Sequence, residues 1–134
     1  MGFLIKKASG LIINEIITTL NNSEIAALDS TYIAIGTIPA TAKIINIQLT
    51  ANAQVVAWSN LNVLNHINDI VASFSNPLQI INTGYVYHFG IGFSNTTTQD
   101  GYELIQPTTT LLLSAILPPA TLATVMTVKL YYFN

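Results

Sequence analysis

The sequence predicts an all-β chain: an antiparallel β-sandwich, jelly-roll-like, with at most one short helix. Three observations lead there. Apolar and polar residues alternate with a period of two in several segments, turn chemistry separates those segments, and two prolines interrupt the one apolar run long enough to suggest a long helix. A chain of 134 residues fits one domain, which at this size buries roughly two-thirds of the surface its unfolded form exposes. The expected organisation is residues 1–24 as a first strand or a docking arm, followed by a sandwich domain over 25–134.

The opening "MGFLIKKASGLIINEIITTL" is too apolar for a solvated tail. It reads either as an edge strand or as an arm that adds a strand to a neighbour's sheet, where backbone hydrogen bonds give attachment without a pocket. It has no apolar region followed by a small-residue cleavage site, so it does not read as a secretory signal. Lys6 stands where a myristoylation motif calls for Ser or Thr.

Short strands are expected at "TYIAIG" (31–36), "QVVAW" (54–58) and "YELI" (102–105). In "KIINIQLTA", Ile45, Ile47, Leu49 and Ala51 alternate with Asn46, Gln48 and Thr50, which predicts a strand with those four residues inward. In "YVYHFGIGF", Tyr85, Tyr87, Phe89, Ile91 and Phe93 oppose Val86, His88, Gly90 and Gly92, and the glycines suggest a bulge or a close backbone approach. Turns are expected at "NNS", "IPAT", "SNP", "NTG" and "QDG".

Residues 61–74, "LNVLNHINDIVASF", depart from this pattern. Leu64, Ile67, Val71 and Phe74 fall on one helical stripe with Asn60 as N-cap, which predicts a short helix or an irregular crossover. The "DIVASF" portion also reads as a strand.

From Thr108 to Val128 there are 21 residues without a charge, enough for a helix to cross a hydrocarbon core of about 30 Å. Pro118 and Pro119 in the middle would remove helical donors, and the many threonines favour strands, so no membrane span is expected. The run divides instead into two antiparallel strands, about 109–117 and 124–133, joined by a proline turn. Leu113, Val128 and Leu130 are predicted core positions.

Composition limits the partners. Only 7% of residues are charged, against about 25% in ordinary domains. Four lysines, no arginine and a net charge of −2 offer no basic field for a phosphate backbone, so nucleic acid is not expected as a partner. With 51% apolar residues and little charge to hold copies apart, a homo-oligomer is expected, its assembly covering the surplus apolar surface.

No catalytic or cofactor motif stands out, and neither an enzyme nor a cofactor is expected. The available bases are His66, His88 and six scattered carboxylates, with no nucleophile elbow, zinc helix or P-loop around them. His66 and Asp69, three apart, could share a helix face, but two ligands make weak metal chemistry. The "GIG" at 90–92 lacks a third glycine and lies inside a strand pattern. Asn21 and Asn95 begin sequon-like triplets of the kind that arise by chance in an Asn- and Thr-rich chain. The aromatics Trp58, Tyr85, Tyr87 and Tyr102 could form an interface or a ligand platform; as a platform they would suit a neutral sugar, making the chain a carbohydrate- or surface-binding module.

"YIAIGTIPATAKIINIQLTANAQV", then "TGYVYHFGIG", then "GYELIQPTTTLLLSAILPPATLATVMTVKLYYFN" together resemble small virion structural proteins of tailed phages, over roughly residues 31–134. The shared features are a strand, an "IPA" turn, an alternating strand, an extended Thr-rich strand and a closing Tyr-containing strand. "LPPAT" departs from the Gly- or Ala-rich turn of that class, and 59–74 is untypical of it. The resemblance implies a structural role in a phage particle, as a head decoration, fibre or neck component. It also implies self-association as a trimer, contact with other virion proteins, and no active site.

Overall fold

The computed structural model describes residues 12–53, 55–56, 60–75, 80–81, 83–91, 103–104, 108–115 and 125–133. Strand β1 (Asn14–Asn21) runs into a short helix α1 (Asn22–Ala26), followed by β2 (Ile33–Ile38) and β3 (Lys43–Ala51). The middle of the chain forms β4 (Val55–Val56), β5 (Asn60–Leu64), β6 (Ile70–Ser75), β7 (Ile80–Ile81), β8 (Tyr87–His88) and β9 (Gly90–Ile91). β10 (Glu103–Leu104), β11 (Thr109–Ala115) and β12 (Val125–Phe133) complete it.

These strands make two antiparallel sheets. The first has the order β1-β12-β3-β10, with β8 also on β3; the second runs β2-β11-β5-β6-β9, and β4 pairs with β7 in a separate ribbon. The pairs are nested: the hairpin β5–β6 lies inside β3–β8, which lies inside β2–β11, which lies inside β1–β12. Among the described residues no helix is long and apolar enough to cross a membrane.

The core lies between the sheets and is aliphatic. Leu20, Ile35, Ile47, Leu49, Leu111, Leu113, Val128 and Leu130 are all fully buried; removing each such side chain from water contributes about 1.5–3 kcal/mol. The alternation in β11 and β12 is as predicted, with Leu111 and Leu113 inward on one and Met126, Val128 and Leu130 inward on the other. The two strands do not pair with each other, however. β11 pairs with β2 and β5, and β12 with β1 and β3, so they sit in opposite sheets. The proline turn expected between them, at Pro118 and Pro119, lies outside the described residues.

Three bulges displace the expected registers. On β3, Tyr131 pairs with Asn46 and Tyr132 with Ile44, leaving Ile45 as the extra residue. Ile44 is therefore buried, in place of the predicted Ile45, because a bulge reverses the alternation on its far side. On β2 the extra residue is Ile35, and on β6 it is Val71.

Residues 61–74 are not a helix. Asn60–Leu64 and Ile70–Ser75 form an antiparallel hairpin, with Asn60 opposite Ser75 at the start of a strand rather than of a helix. Leu61 and Val63 are buried with a period of two, while Ile67 stands 63% exposed at the tip. The Asn65 side chain accepts hydrogen bonds from Ile67 N and Asp69 N, both at 3.0 Å, and Asn68 adopts a left-handed φ of 63°. This side-chain-to-backbone closure makes "NHIND" a turn rather than the centre of a helix. Among the described residues the one helix lies where a plain turn was expected, at "NNS". Asn21 Oδ1 accepts from Glu24 N at 2.9 Å, and Glu24 Oε1 accepts from Asn21 N at 3.0 Å, a reciprocal cap that favours a helical turn. The "IPAT" turn is present, closed by Ala42 N donating to Pro39 O at 3.3 Å.

Along one side the two sheets are joined at a seam. Thr18 Oγ1 on β1 donates to the carbonyl of the bulged Ile35 on β2 at 3.1 Å. Next to it, Gly36 has φ 148°, and a Cβ there would stand 2.9 Å from Ile16 Cδ1. Glycine is needed at this point for both backbone conformation and close approach. β1 is thus an edge strand of the chain's own first sheet, paired from Asn14–Tyr132 to Asn21–Val125, with Leu20 fully buried.

Candidate interaction surface

The aromatic residues gather where the chain passes from one sheet to the other. β8 pairs with β3 in the first sheet and β9 with β6 in the second, and between them Phe89 N donates to Ile47 O at 2.9 Å. Phe89 is thereby turned inward, 5% exposed. Phe74 meets Tyr87 edge-on at 5.4 Å and Phe89 at 5.9 Å, so Phe74, assigned by its spacing to a helical stripe, belongs to an aromatic cluster bridging the two sheets.

Of the four predicted platform residues, Tyr85 and Tyr87 come together, with ring centroids 6.4 Å apart, while Trp58 and Tyr102 lie outside the described residues. Tyr87 is half-buried against Phe74, whereas Tyr85 is 63% exposed beside an exposed Val86. Their planes are inclined by 53°, so these two rings do not form one flat stacking surface for a sugar.

The outer faces of the two sheets differ in chemistry. On the first, register places Glu15, Tyr131 and Asn46 in one row, the exposed Ile17 with Lys129, Gln48 and His88 in the next, and Thr19, Thr127 and Thr50 in a third. His88 Nδ1 lies 3.1 Å from Asn46 Oδ1. Tyr131 donates its hydroxyl proton to Glu15 Oε2 at 2.8 Å. Its hydroxyl pKa is pushed up to about 12, first by desolvation and then by the hydrogen bond and negative charge of Glu15. This pair was not visible from sequence, because the two residues meet only through the β1–β12 register.

On the second sheet, Ala34, Leu112, Leu64 and Ile70 occupy successive register positions, an apolar row across four strands. Ile67 extends beyond it at the hairpin tip. His66 Nδ1 lies 3.2 Å from Oγ1 of the buried Thr109, and because His66 and Asp69 belong to a turn, they share no helix face. Among the described residues no group of three or more His, Asp or Glu side chains could hold a metal ion.

No family model matches the chain, and no curated protein matches it in sequence. Solved structures do. The chain superposes on one from the capsid of Ralstonia phage GP4 with a TM-score of 0.60 and 15% identity, covering 98% of this chain and 89% of that one. A chain of the cyanophage Pam1 capsid asymmetric unit gives 0.57 at 11% identity, covering 92% and 84%. A third, from the acidic stable capsid structure of Helicobacter pylori bacteriophage KHP30, gives 0.55 at 7%, covering 100% and 94%. The fold is shared with phage capsid chains. Because the cover is nearly complete in both directions, the matched chains are close to this one in length and consist of little beyond the same sandwich. What is shared at such low identity is the fold, which many aliphatic sequences can satisfy.

Proposed function

We propose that this chain is a non-enzymatic structural subunit of a phage particle, located in the virion as a capsid decoration, head-fibre or neck protein. The nested strand pairing is read here as a jelly roll. The observation that carries the proposal is the nearly end-to-end likeness to chains of three phage capsids. Composition supports a position away from the packaged genome: a net charge of −2 with four lysines gives little to neutralise phosphates. Mass spectrometry and antibody labelling of gradient-purified particles from a phage carrying this gene should find the chain at stoichiometric copy number. Its absence from purified particles would refute the assignment.

The chain is further proposed to assemble with copies of itself, as a trimer, and with other virion proteins through apolar surface. Ile17, Ile67, Tyr85 and Val86 remain more than 40% exposed in the isolated chain, an arrangement that association would relieve. Analytical ultracentrifugation should give a single trimeric species at micromolar concentration; a stable monomer would overturn this. For residues 1–24, read as a first strand or a docking arm, the pairing of β1 within the chain's own sheet supports the strand. Deleting residues 1–22 removes β1 with the buried Leu20 and should prevent folding, whereas a folded sandwich that no longer joins its partner would favour the arm.

A further inference from the structure

We draw no further inference here: the strongest candidate, the apolar row of Ala34, Leu112, Leu64 and Ile70 on the outer face of the second sheet, is an unpartnered face and nothing in the structure shows what covers it.

Discussion

Gly36 and Gly84 allow backbone strain to be separated from crowding. Both have positive φ, 148° and 85°, but a Cβ at Gly84 would meet nothing within 4 Å, whereas one at Gly36 would press on Ile16 and Leu130. Gly84→Ala should therefore cost about 1 kcal/mol from conformation alone. Gly36→Ala should cost more, about 2–3 kcal/mol, because its φ of 148° lies farther from the left-handed well than that of Gly84 and the Ile16 side chain must also shift. Urea denaturation of the two variants compares them directly, and equal losses would show that the sheets do not depend on close approach at Gly36. Tyr131 yields a second prediction at this scale. Its folded pKa of about 12 lies above the ordinary tyrosine value of 10.0, so the folded state holds the phenolic proton more tightly. That contribution to stability is complete below pH 10 and is lost as pH rises through about 12. Tyrosinate absorbance should show one late-titrating tyrosine that disappears in Tyr131→Phe and shifts earlier in Glu15→Gln. If Glu15→Gln and the parent titrate alike, the Glu15 contact is not made in solution.

At the scale of elements, the β5–β6 hairpin depends on one side chain. Asn65→Ala removes the acceptor for Ile67 N and Asp69 N, and because the turn is exposed, water can replace part of the loss. The expected cost is about 1 kcal/mol, with Asn65→Asp close to the parent because it retains an acceptor oxygen. Thermal melts that do not distinguish Asn65→Ala from the parent would remove Asn65 from this role. The same hairpin shows where sequence reading reached its limit. Leu64, Val71 and Phe74 are spaced as on a helix only because a turn and the bulge at Val71 separate two short strands. A bulge depends on the partner strand, which is why the inward residue of β3 was placed at Ile45 and is found at Ile44. β11 and β12, by contrast, carry uninterrupted alternation over their buried stretches and were legible residue by residue. Of the surface, only the proximity of Tyr85 and Tyr87 was legible, since they are two apart on one segment. The Glu15–Tyr131 pair and the apolar row across the second sheet exist only once registers are set.

For the whole molecule, the nested pairing also dictates an order of events during synthesis. β1 is made long before its ladder partner β12, with Asn14 opposite Tyr132. The β5–β6 hairpin needs only residues 60–75 and closes the shortest loop of the set. Folding should therefore proceed outward from the middle of the chain, with the two terminal strands joining last, at the slow end of the range for chains dominated by distant contacts. Pulse-labelled hydrogen exchange during refolding should protect the amides of β5 and β6 before those of β1 and β12, and the reverse order would contradict this sequence of events. Until β12 emerges, β1 is a newly made strand without its ladder partner, and it must be kept from pairing with the β12 of another copy.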